Sequence, residues 1–403
     1  MREKGILFIT NLELWSITKG GGATSLATTI NFYLDNGYAV YVITGNKVNW
    51  DQLKGKEGIL IKEFDCPWFK KLFRLKKIGF LAKALWWLWF QVAAFWLAVP
   101  LLRKKKIYWV YGYELMGVPV AYLLAKLFKL KSVSRFQGST LGFFIGRPLW
   151  QVRAWDHILA LKTPTDLMIM TNDGQREDQV LAKIKAKPKR FCFWQNGVNK
   201  DMFIPNFNRE EFLTRLGISP DKFVILTVSR LHKWKRVDRI INALPEIVKQ
   251  CRQVQLLVVG DGELRTSLEA LVDRLKIREY VKFAGSVPQV EVKEYLNAAD
   301  LFVSLYDSSN VGNPLLEAMS CGKCILTLNN GTTGQIIKNY ENGILLEMDQ
   351  LKDLPKYVLE LINNKDLREK LGKAAKEYAE KNFWTWEERM QAEINQLNLL
   401  LKE

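Results

Sequence analysis

The sequence is poor in cysteine and histidine, with 5 cysteines and 2 histidines in 403 residues. Five scattered cysteines, an odd number, argue against a disulfide framework and favour a reducing compartment. Acidic residues are fewer than basic ones, which gives a formal net charge of +17. An Arg-rich recognition helix, zinc-finger spacing and an RNA-binding aromatic signature are all missing, so we expect no nucleic-acid partner. The positive charge then favours a membrane surface or phosphorylated substrates.

A signal-peptide pattern is also missing, because the apolar run over residues 5–10 is too short for one. That run predicts a first strand, followed by a helix over 23–36 and a strand over 38–44. Strand and helix patterns keep alternating, which predicts parallel sheets covered on both faces. Further strands are expected at 108–110, 132–136, 167–170, 190–193, 223–229, 254–259, 281–283, 300–306 and 324–328. The chain length suggests two domains, and a turn-rich stretch over 195–203 predicts their junction, with domains over 1–195 and 196–385.

Residues 307–322, which read Asp-Ser-Ser-Asn-Val-Gly-Asn-Pro-Leu-Leu-Glu-Ala-Met-Ser-Cys-Gly, follow an apolar strand and open a helix. Pro314 suits the first helical turn because it needs no N–H donor there. The small residues before it leave backbone amides pointing off the helix N-terminus, where an anion can bind. Glu317, one turn further on, is suited to accept hydrogen bonds from paired hydroxyls such as those of ribose. The stretch therefore predicts a nucleotide diphosphate site.

Gly20, Gly21 and Gly22 form a Gly-rich loop at the start of the first predicted helix. The loop lacks the G-x-G-x-x-G spacing of a dinucleotide fingerprint, but its glycines permit close backbone approach to a ligand. A flexible turn without a ligand is the alternative interpretation. Cys321 and Cys324 have the spacing of half a zinc or redox site, but no second pair accompanies them, and we interpret them as structural.

Several motifs together resemble the family 4 glycosyltransferases of the GT-B fold. They are Arg230 and Lys235 after a strand, Gly260-Asp-Gly262, Phe283-Ala-Gly-Ser286, Gly312-Asn-Pro-Leu-Leu-Glu-Ala-Met319 and Cys321-Gly322, in that order. The resemblance implies an α/β fold with two facing Rossmann-like domains, parallel sheets and an interdomain cleft. It also implies retaining transfer of a sugar from a UDP- or GDP-sugar, without a metal ion or other cofactor. A last helix over about 386–400 would cross back onto the N-terminal domain, so that 386–403 forms a third segment.

Roles for individual residues follow from the same resemblance. Arg230 and Lys235 would bind the donor diphosphate, although both could also be solvated charges after a strand. Glu317 would accept the ribose hydroxyls, or could be a helix N-terminal acid stabilised by the dipole. The remaining expected contacts are amides of Gly312 and Asn313 on phosphate or sugar, and Ser286 and Val287 on the base.

Two positions depart from the family pattern. Ser309 occupies the place of the first acid of a glutamate pair, and Asp307 or Asn310 could substitute in holding the sugar. Gln137 occupies the place where many members carry a histidine, and an amide cannot accept the proton. In a retaining front-face mechanism the leaving diphosphate could deprotonate the acceptor, leaving Gln137 to hydrogen-bond near the reacting sugar. His157 and His232 lie outside the matched position.

The uncharged, Trp-rich run over residues 84–102 is the other strong signal. It is flanked by cations at Lys70, Lys71, Arg74, Lys76, Lys77, Lys83 and 103–106. Its length just allows a transmembrane span, but one crossing would split a sheet across the bilayer. A buried core helix is a second alternative. We favour a helix over about 78–102 that lies in the membrane interface, with residues 78–106 contacting anionic lipid on the cytoplasmic face of the cell membrane.

A membrane-associating helix on the acceptor domain predicts a lipid-linked saccharide or a glycolipid as the acceptor. Tyr111, Glu114 and Arg135, near the cleft ends of predicted strands, could touch it. Three functional classes remain open at this point: a membrane-associated glycosyltransferase, a catalytically silent relative that binds nucleotide sugar or saccharide, and a basic nucleic-acid-binding protein suggested only by charge.

Overall fold

A computed structural model of the chain describes residues 4–12, 24–46, 53, 55–65, 79–139 and 141–402. Among these residues the strands form two parallel sheets, one of seven strands in the order β3-β2-β1-β4-β5-β6-β7 and one of six in the order β10-β9-β8-β11-β12-β13. The strands are β1 Gly5–Thr10, β2 Ala39–Thr44, β3 Ile59–Glu63, β4 Ile107–Tyr113, β5 Lys131–Phe136, β6 Leu167–Thr171, β7 Phe191–Trp194, β8 Phe223–Val228, β9 Val254–Val259, β10 Val281–Gly285, β11 Leu301–Ser304, β12 Cys324–Leu328 and β13 Ile344–Leu346.

Helices cover both faces of each sheet. They are α1 Thr24–Asp35, α2 Gly79–Lys104, α3 Glu114–Leu127, α4 Trp150–Arg153, α5 Trp155–Lys162, α6 Glu177–Lys183, α7 Arg209–Arg215, α8 Val237–Gln250, α9 Arg265–Arg274, α10 Val292–Ala298, α11 Asn313–Ser320, α12 Thr333–Ile336, α13 Leu354–Asn363, α14 Lys365–Asn382 and α15 Trp386–Leu400. The predicted strand–helix alternation with parallel sheets is confirmed.

The central strand β1 shows why the sheets need two covered faces. Its side chains alternate between the two layers, so Ile6 and Phe8 pack with α1 and α15, whereas Leu7 and Ile9 pack with α2 and α3. Every residue of β1 is buried, as expected for a parallel strand between two helical layers.

Strands β3 and β13 are absent from the sequence-based prediction. Both lie at the edge of their sheet. β3 has the sequence Ile-Leu-Ile-Lys-Glu and is half-buried to exposed, and β13 contains only three residues. Edge strands have one neighbour and one solvated side, so their apolar pattern is weak.

Helix α15 returns from the second sheet to the first. Met390, Ile394, Leu397 and Leu400 are buried in the core beside β1 and β4. The crossing is fixed beside the linker between the sheets, where the Val198 N–H donates to the Trp384 carbonyl at 3.0 Å. A Cβ on Gly197 would approach the Trp386 Cα to 2.4 Å, so this crossing requires glycine.

Helix α2 covers the face of the first sheet opposite α15. Phe90, Ala94, Ala98 and Leu101 are buried against that sheet. Among the described residues it is the one helix long and apolar enough to cross a membrane, over Phe80–Lys104. The strands before and after it, β3 and β4, belong to the same sheet. The predicted basic flank at residues 70–77 lies outside the described residues.

Candidate functional site: an interdomain cleft

The loops that follow the carboxyl ends of both sheets face each other across a cleft. Ligands of open parallel sheets bind at this edge, because the strands end there and the connecting loops diverge. A cavity of about 970 Å³ occupies the cleft. Its lining residues come from both domains, and include Ser25, Glu114, Gln137, Ser139, His157, Asp173 and Asn196 from one side and Arg230, Lys235, Ser286, Val287, Ser309, Gly312, Asn313 and Glu317 from the other.

Lys235 lies in the short turn after β8, with its ammonium group between two aromatic rings. Its Nζ is 4.0 Å from the ring centroids of both Trp234 and Tyr306 and donates to the Ser309 carbonyl at 3.4 Å. Burial is the main cause that lowers the pKa of Lys235 to about 7; the carboxylate of Asp173 opposes this shift, and neighbouring Arg230 adds to it. Two cations therefore converge on one wall of the cavity, where they repel each other and favour an anionic ligand.

Helix α11 begins inside the 307–322 stretch. Gly312 is its N-cap, and Pro314 lies in its first turn. The predicted helix start is thus observed. The Asn313 Oδ1 accepts a hydrogen bond from Asn196 Nδ2 at 3.1 Å, which joins the helix start to the interdomain linker. The N-terminal backbone amides of α11 open into the cleft, since both Gly312 and Asn313 line it.

Glu317 is buried one turn into α11, and its Oε1 accepts a hydrogen bond from Gln289 Nε2 at 2.7 Å. Burial raises the pKa of Glu317 to about 8. The carboxyl group lines the cavity, so it can accept hydrogen bonds from a ligand. This placement differs from that of an exposed acid that merely stabilises a helix end.

The turns after β8, β9 and β10 approach one another closely. A Cβ on Gly260 would come to 1.9 Å from the Ser229 carbonyl oxygen, and one on Gly262 to 2.6 Å from that of Leu231. Both glycines are therefore required for this packing. The turn after β10 places Ser286 and Val287 in the cavity lining, on the side where the sequence predicts a base.

The loop before α11 separates three residues that the sequence groups together. Ser309 lies in the cleft, buried, with a left-handed backbone at φ 60°. Asp307 instead points away from the cavity and forms salt bridges with Arg236 and Arg239 at 3.3 and 2.6 Å. Asp307 therefore does not take the place of the missing acid, because its carboxylate is paired with two arginines and does not line the cavity.

Asn310 also does not face the cavity. Its side-chain oxygen accepts from the Tyr306 N–H at 3.1 Å, and its amide donates to the Tyr306 carbonyl and to Asn330 Oδ1 at 3.2 and 2.8 Å. At 1% exposure it holds the loop in shape. Asn310 therefore does not provide the expected hydrogen bonds to sugar hydroxyls, because its side chain is bonded within the loop.

On the N-terminal side, Gln137 lines the cleft at the position that follows β5. Its side-chain amide donates to the Tyr113 hydroxyl, and its backbone N–H donates to Glu114 Oε1 at 2.6 Å. The Tyr113 hydroxyl is also 3.3 Å from Ser25 Oγ. Gln137 is thus held from two directions, with its amide group fixed at the cavity wall.

Three carboxyl groups here were given little or no role by the sequence: Glu114 and Asp173 line the cavity, and Glu177 lies behind the lining residue Ser139. Burial raises the pKa of both Glu114 and Glu177 to about 7 and raises that of Asp173. Glu177 accepts from the Ser139 N–H and hydroxyl at 3.0 and 2.9 Å. Asp173 hydrogen-bonds Ser309 and acts electrostatically on Lys235 across the cleft. Only their positions in the sequence could have identified them, because each lies directly or shortly after the end of a strand.

The segment around Asp173 also joins the domains. Its carbonyl accepts from the Val311 N–H at 3.0 Å, and the Gly174 carbonyl accepts from the Thr332 N–H at 3.1 Å. A Cβ on Gly331 would lie 1.7 Å from the Gly174 oxygen, so the two backbones are in direct contact. The cavity floor is therefore shared between the two domains.

Arg135 lies outside the cleft, contrary to the expected contact with the acceptor. Its side chain is fully buried and pairs with Glu393 of α15 at 2.9 Å. Arg389 pairs with the same carboxylate at 3.1 Å, and the hydroxyls of Tyr33 and Tyr111 donate to it at 3.0 and 2.6 Å. Arg135 is thus a residue of the α15 interface, and Tyr111, bound into the same cluster, is likewise withdrawn from the cleft.

Gly20, Gly21 and Gly22 lie outside the described residues, so their predicted contact with a ligand stays a prediction. His157 lines the cavity, whereas His232 is exposed at its rim, 3.4 Å from Glu263. Cys321 and Cys324 are buried free thiols, and the described part of the chain contains no group of three or more candidate metal ligands.

Two facing Rossmann-like domains with a cleft between their strand ends define the GT-B fold. HepE of Anabaena, solved in complex with UDP and glucose, superimposes with a TM-score of 0.74 at 18% identity, covering 97% of this chain and 98% of that one. The GT-B fold inferred from the sequence is therefore confirmed.

Residues 208–378 match the family model described as glycosyl transferases group 1. The chain is 26% identical over 240 residues to sulfoquinovosyl transferase SQD2 of Arabidopsis thaliana, covering 58% of this chain and 45% of that relative. It is 25% identical over 280 residues to the GDP-mannose-dependent monoacylated alpha-(1-6)-phosphatidylinositol monomannoside mannosyltransferase of Corynebacterium glutamicum, covering 67% and 71%. The match thus spans less than half the length of the first relative. These similarities confirm the resemblance to group 1, family-4-like glycosyltransferases.

Proposed function

We propose that the protein is a retaining glycosyltransferase that moves a sugar from a UDP- or GDP-sugar to a lipid-linked saccharide or glycolipid. The observation that carries this proposal is the convergence of Arg230, Lys235 and the start of α11 on one cavity wall. Such a wall suits a diphosphate, which presents several negative oxygens to cations and backbone amides. The named partners of two related proteins, UDP with glucose and an acylated phosphatidylinositol monomannoside, are consistent with this donor and acceptor.

The same wall can stabilise the reaction and not only the ligand. When the glycosidic bond breaks, the leaving diphosphate gains charge, so cations beside it stabilise the transition state more than the ground state. The two cations supply the positive charge that a divalent metal would otherwise bring, and we propose that transfer needs no metal or other cofactor. Glu317, buried beside the cavity, accepts the ribose hydroxyls, and Ser286 and Val287 line the base.

A mechanism that retains the configuration of the transferred sugar is consistent with the side chains at the reacting centre, Gln137 and Ser309. Gln137 cannot accept a proton, so we propose that a donor phosphate oxygen deprotonates the acceptor hydroxyl on the same face of the sugar. Gln137 then donates a hydrogen bond from the cavity wall. Ser309 sits between Lys235 and Asp173 and is placed to position the sugar ring through these neighbours.

The test is a panel of UDP-, GDP- and ADP-sugars incubated with a membrane lipid extract, followed by mass spectrometry of the products. We expect one donor to support transfer, and Lys235→Met to lower the turnover about 10²–10³-fold, the usual cost of removing one such electrostatic donor. Lys233→Met is the matched control, because Lys233 lies in the same turn and is exposed outside the cavity lining. Binding of a sugar nucleotide without turnover of any donor would support the catalytically silent alternative instead.

We further propose that α2 holds the protein on the cytoplasmic face of the cell membrane as a peripheral protein, with residues 78–106 contacting anionic lipid. Its outward side exposes Phe80, Leu81, Leu88 and Trp96 at 55, 60, 54 and 67%, and exposed apolar surface of this kind is typical of protein or membrane contact sites. Arg103 and Lys104 end the helix, and cations beside an apolar face favour anionic head groups.

Flotation with vesicles that contain anionic phospholipid tests this contact. Trp89→Ser with Trp96→Ser should release the protein, since these indoles are 44% and 67% exposed. Trp87→Ser is a weaker choice, because that ring packs edge-on against Trp155 at 5.3 Å. Flotation of the double variant at the wild-type level would refute the role of α2.

A further inference from the structure

A second apolar surface lies beside the entrance of the cleft, on residues 141–160, here called the cleft-mouth segment. It exposes Phe143, Leu149, Val152 and Leu159 at 39, 71, 51 and 42%. The segment begins just after Ser139 and contains His157, and both residues line the cavity. The segment that carries this apolar surface therefore borders the cleft through His157.

The cleft-mouth segment is attached to α2. The rings of Trp155 and Trp87 meet edge-on at 5.3 Å, and Lys83 forms a salt bridge with Asp156 at 2.6 Å. Among the large apolar side chains of the described residues, the two most exposed are Leu149 at 71% and Trp96 at 67%. One belongs to each element, and the Trp87–Trp155 and Lys83–Asp156 contacts join the two elements that carry them.

The charges of the segment are complementary to an anionic bilayer. Arg147, Arg153 and Lys162 are exposed. The one acid between residues 141 and 162, Asp156, is buried and paired with Lys83. Apolar side chains surrounded by cations match the acyl and phosphate layers of an anionic membrane.

We propose that the cleft-mouth segment enters the same bilayer as α2, so that the membrane contact has two elements and the cleft opens onto the lipid surface. The head group of a lipid acceptor then reaches the cavity past Ser139 and His157 while its acyl part stays in the bilayer. A single helix lying on a membrane can roll about its axis, whereas two joined elements fix the orientation of the domain. The part of this proposal that concerns the acceptor rests on the proposed function; the membrane contact does not.

Fluorescence of a label at position 149 tests the contact directly. With Cys66 and Cys251 replaced by serine, Leu149→Cys carries an environment-sensitive dye and is mixed with vesicles of phosphatidylcholine and phosphatidylglycerol. We expect a blue shift and an intensity increase of at least twofold, and little change with phosphatidylcholine alone. Leu399→Cys is the matched control, because Leu399 is 42% exposed on α15, across the sheet from α2. An unchanged signal at position 149 while the protein floats would overturn the proposal.

The double variant Leu149→Ser with Val152→Ser tests the consequence for function. Because both side chains are exposed, the fold should persist, and we expect vesicle binding to fall about tenfold while sugar-nucleotide binding stays unchanged. Transfer to a lipid acceptor should fall through a higher KM for that acceptor. Wild-type flotation and wild-type KM together would show that α2 alone docks the protein. If no donor turns over at all, the fluorescence and flotation results still decide the membrane contact separately.

Discussion

Arg135 and Lys235 are both withdrawn from bulk water, one in each domain, but their surroundings are opposite. Arg135 is paired with Glu393 at 2.9 Å inside the α15 interface, and this neighbour holds its pKa above the usual range. Lys235 forms no salt bridge with any described residue, and burial lowers its pKa to about 7. The chain pairs the structural cation directly with a carboxylate, whereas Asp173 acts on Lys235 only electrostatically, so a ligand can supply the direct counter-charge of the cleft cation. The presence of a partner in the fold thus separates a structural charge from a binding one.

The largest expected effect concerns the paired cation. Glu393→Ala would leave Arg135 and Arg389 buried without their shared carboxylate, and breaking a buried pair in this way costs about 3–5 kcal/mol. Equilibrium denaturation should show this loss of unfolding free energy. Gln391→Ala, at an exposed position of the same helix, should change it by less than about 0.5 kcal/mol. Equal stabilities of the two variants would mean that the cluster contributes nothing to α15 docking.

Unlike Glu393→Ala, the variant Lys235→Met should not destabilise the protein. The folded pKa of about 7 lies below the ordinary 10.5, so between these values the unfolded chain binds a proton that the folded chain does not. The contribution of Lys235 to the stability of the fold therefore rises with pH across this window. Below pH 7 this contribution is at its most destabilising. The variant should be at least as stable as the wild type at pH 6.5, and its stability should rise less between pH 7 and 10. A variant less stable at pH 6.5 would contradict this assignment.

The number of protons taken up when UDP binds is a further test of whether Lys235 lacks a direct counter-charge in the free protein. A diphosphate beside Lys235 should restore its charge, so UDP binding at pH 8 should take up as much as about one proton at this site. Calorimetry in buffers of different ionisation enthalpy measures the uptake. Lys235→Arg keeps its charge throughout and serves as the reference, because any proton exchanged at other cleft groups, such as Glu317 with its pKa of about 8, is common to both proteins. Identical proton counts would show that Lys235 is already charged in the free protein.

The smallest effect is expected where the two regions meet. The guanidinium of Arg135 lies 5.5 Å from the centroid of the Tyr113 ring, and the Tyr113 hydroxyl holds Gln137 and Ser25 at the cleft. Tyr113→Phe removes these hydrogen bonds, worth about 0.5–1.5 kcal/mol, and should lower turnover by up to about tenfold with donor binding unchanged. The same reduction in a Gln137→Ala background would indicate that Tyr113 does not act through Gln137.

The C-terminal domain could be predicted closely because its signals are local. Residues 237–250 have a strongly one-sided apolar pattern, and the observed helix is Val237–Gln250. Gly312 and Pro314 predict a helix start, and the structure has one at this position. Lys235 closely follows the end of β8 and Glu317 closely follows the start of α11, so the sequence could place both in the cleft.

The errors concern side chains whose partners are distant in sequence. Arg135 was expected at the cleft because it nears a strand end, but inside a strand the side-chain direction alternates, and it faces α1 and α15. Its partner Glu393 lies 258 residues further on, a pairing that no local pattern reveals. Asn310 and Asp307 were placed by family position, whereas loop hydrogen bonds and nearby arginines orient them elsewhere. Asp173 escaped prediction since its role arises from contact between the two domains.

The return of α15 to the first domain has a consequence for how the molecule is made. The ribosome releases Arg135 long before Glu393, so the first domain lacks both its charge partner and the apolar residues Met390, Ile394 and Leu397 while the second domain is being synthesised. The nascent first domain is therefore incomplete, with part of its core exposed, until α15 emerges. A segment translated after the second domain closes the domain translated before it.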